Sequence, residues 1–119
     1  MVRTRFPRNV YRDGDEPDPR FSLANERTFL AWLRTSLALF AAAVALEALQ
    51  LPIQPAWRLA AAAVFLILGL VAAAQAWIGW SSTERALRHN SPLPGLSIGG
   101  VIVIGVIVGA ALVFIGSLV

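Results

Sequence analysis

Glu26, Arg27 and Arg34 stand inside the stretch ANERTFLAWLRTSLALF (24–40), which is otherwise apolar enough to enter a bilayer. Charge in hydrocarbon is costly, so an ionisable residue there marks a polar path, a buried pair or a side chain reaching back to the headgroups. Arg27 and Arg34 are seven residues apart and share one face of a 3.6-residue helix. Ala31, Ala38, Ala41, Ala42 and Ala45 lie on the same stripe, whereas Leu33, Leu37, Phe40 and Val44 take the other side. Bulky apolar groups suit lipid. A face of arginine and alanine suits close helix contact or a polar lumen. If the hydrocarbon begins near Leu30, Arg34 is about 6 Å inside it. Three roles then fit Arg34: a functional role on a polar face, snorkelling, or pairing with a carboxylate.

The other polar residues form smaller groups. Glu47 lies near the far end of the same apolar block, and the nearest cation in sequence on that side is Arg58, so a structural Glu47–Arg58 pair is expected. Gln75 stands alone in the second block and is expected to hydrogen-bond between helices. His89 is the single histidine and there is no cysteine, so no metal site is expected. It is read as a solvated loop residue near Arg85 and Arg88. No nucleophile stands beside a base and no glycine-rich loop follows a strand, so neither a catalytic site nor a cofactor is expected. No nucleic-acid partner is expected either.

The elements that must carry these residues follow from composition. Of 119 residues, 57% are hydrophobic and 14% charged, more apolar surface than one soluble core of this size could hide. The apolar residues fall into three blocks, at about 28–49, 57–80 and 96–119, each long enough to span a bilayer. The fold class is therefore an all-α membrane protein with three transmembrane helices. The first block is too long for a signal peptide and has no small-residue cleavage pattern before Glu47. Pro52 and Pro55 separate the first two blocks, and a polar loop from Ser81 to Pro94, holding Glu84, Arg85 and Arg88, separates the last two. Residues 1–17 have no apolar periodicity and are expected to be a flexible charged tail; residues 18–119 form the membrane domain. Asp18-Pro19 looks like an N-cap followed by proline at the first helical position.

All ten basic residues are arginine. Arg3, Arg5, Arg8, Arg12 and Arg20 precede the first span, and Arg85 and Arg88 follow the second. The positive-inside rule places the N-terminus and the second loop in the cytoplasm and the C-terminus outside. Trp32, Trp77 and Trp80 then sit near the inner interface and Trp57 near the outer one. In the third block Gly105, Gly109 and Gly116 fall in a narrow sector, and 105–109 is a GxxxG match, which suggests close helix packing within or between subunits.

The stretch RFSLANERTFLAWLRTSLALF (20–40) closely resembles the signature of the YidH-like family of small bacterial inner-membrane proteins, whose function is unknown. ERALRHNSPLP (84–94) resembles that family's second motif, and the acid at Glu47 also fits. The resemblance covers residues 18–119 and implies a multi-pass protein of the inner membrane, with Asn25, Glu26 and Thr28 as polar residues of the motif. The same domain resembles the membrane part of the yeast vacuolar transporter chaperone, which makes and translocates polyphosphate. That likeness implies a homo-oligomeric ring in the lipid bilayer, of about five subunits, with first-helix basic residues along a polyanion path. Arg27 and Arg34 fall where it places them. The sequence has no lysine and shows no cytosolic polymerase domain, so the likeness points to a conduit for polyphosphate or another anion, or a scaffold, and not to synthesis. The alternative is a non-conducting scaffold or accessory subunit that assembles through its glycine and alanine faces. An enzyme is not expected.

Overall fold

The computed structural model describes residues 5–12, 14–93 and 98–119. Arg3, Pro94, Gly95 and the expected start of the third span at Leu96 lie outside them. Among the described residues every regular element is helical: α1 (Arg8–Tyr11), α2 (Pro19–Ala48), α3 (Pro55–Arg88) and α4 (Ile98–Leu118). The last three are long and apolar enough to cross a membrane.

Local chemistry sets the helix ends. Asp18 caps α2, its carboxylate accepting from the Arg20 amide at 2.9 Å, and Pro19 opens the first turn. The Gln54 side chain caps α3 by accepting from the Ala56 and Trp57 amides at 2.9 and 3.1 Å. Between these helices the chain reverses through Gln50, at φ 48°. The far end of α3 closes with Asn90 in the left-handed region, at φ 52°, and the Ser91 amide donating back to Ala86 at 2.9 Å.

The segment expected as a polar loop from Ser81 is thus helical through Arg88. The correction has a simple cause: SSTERALR contains no glycine or proline, and Arg85 and Arg88 fall in the last turn, where cations suit the helix dipole. At 1.5 Å per residue α3 is about 51 Å long, against about 30 Å of hydrocarbon, so one end stands clear of the apolar layer. The molecule is accordingly elongated, 64 Å by 24 Å by 20 Å.

α3 is the central helix. α2 packs on one side of it and α4 on another, and no Cα of α4 comes within 8 Å of a Cα of α2. The buried positions of α2 are Asn25, Ser36, Leu39, Ala43 and Leu46, joined by half-buried Ser22, Phe29 and Trp32. These alternate by three and four residues, the seam of helices packed at a shallow angle. Ser36 Oγ reaches across that seam to the Gly69 carbonyl at 2.9 Å, and a Cβ on Gly69 would sit 2.6 Å from the Phe40 ring.

The glycine sector of α4 faces α3. A Cβ on Gly105, Gly109 or Gly116 would come within 2.5–2.6 Å of Leu68, Phe65 or Ile53 respectively. These three glycines therefore serve contact within one chain.

Candidate functional site

The α2 seam toward α3 leaves the arginine stripe on the opposite side. Arg27, Ala31, Arg34, Ala38 and Ala41 are all exposed on the single chain. Neither Arg27 nor Arg34 has a hydrogen-bond or ion-pair partner among the described residues. The ion-paired role for Arg34 therefore has no counterpart among the described residues.

A second polar group gathers at the end where α3 stands clear of the apolar layer. Glu84 is only 3% exposed. Its carboxylate accepts from Ser22 Oγ at 2.8 Å and from Asn25 Nδ2 at 3.2 Å, and the same amide donates to the Trp80 carbonyl at 3.0 Å. Asn25, from the motif, thus fastens α2 to α3. Glu26 and Thr28 do not join it: Glu26 is exposed, and Thr28 Oγ1 returns to the Ala24 carbonyl of its own helix at 3.2 Å.

One turn beyond Glu84, Arg88 is 6% exposed and is held by residues from the start of the chain. It donates to the Tyr11 carbonyl at 2.6 Å and to Glu16 Oε2 at 3.2 Å. Its own carbonyl accepts from the Asp15 amide at 2.9 Å. Gly14, at φ +73°, makes this possible, since a Cβ there would lie 2.6 Å from the Arg88 oxygen. Arg5 completes the group, donating to Glu16 Oε2 at 2.6 Å and lying 4.2 Å from the Tyr11 ring centre.

Composition predicts a flexible tail; in the structure residues 5–12 and 14–17 instead lie along α3 as a strap. The physical reason is pairing that periodicity cannot show: Glu16 balances two arginines, and the aromatic rings Phe6 and Tyr11 meet Trp77 and Trp80 at 6.1 and 6.0 Å. Hydrogen bonds from Arg5 first, then Arg88, hold the Glu16 carboxyl below its ordinary value of 4.5. Burial pushes the Tyr11 phenol up. The Arg20 guanidinium, followed by its backbone amide, lowers Asp18. Two aromatic residues in an otherwise charged tail, with glycine between acids, are the signal that sequence reasoning passed over.

The remaining sites are scattered. Arg58 Nε lies 3.5 Å from Glu47 Oε1 without hydrogen-bond geometry, and its Nη1 donates to the Leu51 carbonyl at 3.3 Å. Gln75 makes no interhelical hydrogen bond among the described residues; its amide folds over the space left by Gly79, one turn on, and lines a cleft of about 360 Å³ between the helices. Arg85 is exposed, and its carbonyl lies 2.8 Å from His89 Nδ1. No group of metal-binding side chains occurs among the described residues.

Residues 20–86 match the family described as Domain of unknown function (DUF202). An uncharacterized protein of Mycobacterium tuberculosis is 42% identical over 109 residues, covering 82% of this chain and 88% of its own length. The inner membrane protein YidH of Escherichia coli is 41% identical over 86 residues, 71% of this chain and 75% of its own. No solved structure matches. The family match spans the seam of α2 and nearly all of α3, including Asn25, Arg27, Arg34 and Glu84, and leaves out the strap and α4.

Proposed function

The chain belongs to the DUF202 family, and from that premise we propose an inner-membrane protein that assembles with copies of itself around a shared anion path. The α2 face of Arg27, Ala31, Arg34, Ala38 and Ala41 lines that path, which takes phosphate-rich chains such as polyphosphate. One observation carries this reading: Arg34 points out of the subunit, from a small-residue face, with no partner among the described residues. Arg27 and Arg34 are about 10.5 Å apart along the helix axis, so each contributes one level of charge. Copies arranged around an axis multiply that charge at each level, which is how rings of basic side chains select anions.

The side of the membrane is part of the proposal. The strap with Arg5, Arg8 and Arg12 and the α3 end with Arg85 and Arg88 occupy the same end of the molecule. That end lies in the cytoplasm by the positive-inside rule. The α2–α3 turn and the end of α4 face outward. A C-terminal reporter active only in the cytoplasm stays silent in this arrangement.

The scaffold alternative has less surface to work with. The α4 sector of Gly105, Gly109 and Gly116 is already filled by Leu68, Phe65 and Ile53, whereas the alanine face of α2 is open to a partner. Native mass in mild detergent, paired with anion flux into vesicles, tests both readings. The conduit gives an oligomer whose flux is lost in Arg34→Gln and partly kept in Arg34→Lys. A stable monomer removes the path. An oligomer with no flux, or with flux indifferent to Arg34→Gln, leaves the scaffold.

A further inference from the structure

The strap does more than cover the end of α3: it descends along it. Glu16 meets Arg88, Tyr11 meets Trp80 and Phe6 meets Trp77. These contacts step down the helix over about 16 Å, toward the apolar layer. The strap therefore carries Phe6, with Arg8 two residues on, to the level of the tryptophans, which is where indole rings settle between headgroup and hydrocarbon.

Two hollows meet at that level and share Phe6 and Pro7. The first, about 320 Å³, is walled by Phe6, Phe29, Leu30, Trp77 and Trp80, and Glu26 lines it as well. The second, about 470 Å³, is bounded by Arg5, Arg8 and Asn9. Both volumes are in the range of small-molecule sites. Phe6 is 83% exposed, and Leu30 and Trp77 beside it are about half exposed. Apolar surface of this kind, at the membrane interface, faces acyl chains and not water.

The charges on the two hollows differ in a telling way. Arg5 is already engaged by Glu16, whereas the Arg8 guanidinium has no partner among the described residues. Glu26 is likewise without a partner there. A phosphate suits Arg8, because guanidinium matches phosphate oxygens in charge and geometry. A phosphate alone does not suit Glu26, which would repel a purely anionic headgroup. A headgroup bearing both phosphate and a primary ammonium satisfies both residues.

We propose that the strap and the ends of α2 and α3 form a binding site for an aminophospholipid of the phosphatidylethanolamine type. Its phosphate lies at Arg8, its ammonium at Glu26, and the upper part of one acyl chain lies in the aromatic hollow. The site is separate from the arginine stripe of α2 and stands whether or not the protein conducts.

Native mass spectrometry of the full chain, released from detergent with equimolar phosphatidylethanolamine, phosphatidylcholine and phosphatidylglycerol, tests it. Wild type retains phosphatidylethanolamine preferentially. Arg8→Gln lowers retention of all three lipids about tenfold, the size of one charge-assisted contact. Glu26→Gln keeps binding but brings the three lipids to within about twofold of each other. Phe6→Ala weakens all three without changing their order. Circular dichroism melts confirm that each variant is folded. Retention indifferent to Arg8→Gln would overturn the site, as would preference for phosphatidylglycerol unchanged by Glu26→Gln.

Discussion

The attachment of α4 gives the sharpest physical test of the fold. In lipid there is no hydrophobic force between apolar helices, so α4 stays on α3 by close packing, together with the Gln54 amide donating to the Gly116 carbonyl at 3.0 Å. Gly105 and Gly100 lie on the same helix, Gly100 in its first turn, and differ in what a side chain would meet. A Cβ on Gly105 would stand 2.5 Å and 2.6 Å from the two methyl groups of Leu68, whereas a Cβ on Gly100 meets nothing within 4 Å. Ordinary carbon contact is about 3.6 Å, so Gly105→Ala demands about 1 Å of displacement from a buried leucine. Overpacking of this kind costs about 1–3 kcal/mol. Alanine also favours a helix over glycine by up to about 1 kcal/mol, which affects both sites in the same direction. The difference between Gly105→Ala and Gly100→Ala isolates the packing, and it should be about 1–3 kcal/mol in unfolding free energy in detergent. Leu68→Ala, made in the Gly105→Ala background, should recover part of the loss and give a measurable coupling. Equal melting of the two single variants, or no coupling to Leu68, would show that α4 does not pack on α3 through this face.

Three further outcomes follow from the geometry. Gly14→Ala should detach the strap, because a left-handed alanine costs about 1–2 kcal/mol and its Cβ also meets the Arg88 oxygen; faster amide exchange and proteolysis in residues 5–16 would report it. Acid should do the same. The docked strap favours the Glu16 carboxylate, so its contribution is full above the ordinary value of 4.5 and is lost as pH falls through the lowered value, read by Trp77 and Trp80 fluorescence. Ser36→Ala should remove about 0.6 kcal/mol, the mean for an interhelical hydrogen bond in a membrane, whereas Asn25→Ala should remove more because it also strips a donor from buried Glu84.

How much of this was legible in the sequence depended on the range of the interaction. The three apolar blocks, the Asp18-Pro19 start and the proline break before α3 are local, and the helices form where those signals place them. The glycine sector was legible as a face but not as a contact, since Gly105 says nothing of Leu68. The strap was not legible as structure, because its pairs join residues 72 and 77 positions apart. Charge composition counts Arg5, Arg88 and Glu16 as solvated ions, while in three dimensions one carboxylate holds both guanidinium groups. Ser81–Arg88 looked like a loop because it is polar, yet polarity at the end of a long membrane helix marks emergence into the headgroups and not an end of helix.

The arginine stripe shows why stability alone cannot decide the function. Phe29 contacts Trp80 at 6.4 Å, which sets the level of the interface on α2. Arg34 is five residues further, about 7.5 Å deeper by helical rise. Side chains on a helix slant toward its N-terminus, and the N-terminal end of α2 is the polar one. A guanidinium at that depth can therefore reach the headgroups along its own helix, so a single subunit in lipid tolerates Arg34 at small cost. Arg34→Gln is then nearly silent in melting whether Arg34 faces lipid or a water-filled path. Only the internal ion pair would have made it destabilising, and Arg34 has no such partner among the described residues. What separates the two environments is the neighbour. In lipid the stripe has none, and its alanines gain nothing over leucine. Around a shared axis, Ala31 and Ala38 let adjacent α2 helices approach while Arg27 and Arg34 project between them. Leucine at Ala31 and Ala38 should therefore leave a monomer unaffected and break an assembly, and flux must be lost with the assembly if the arginines line its path.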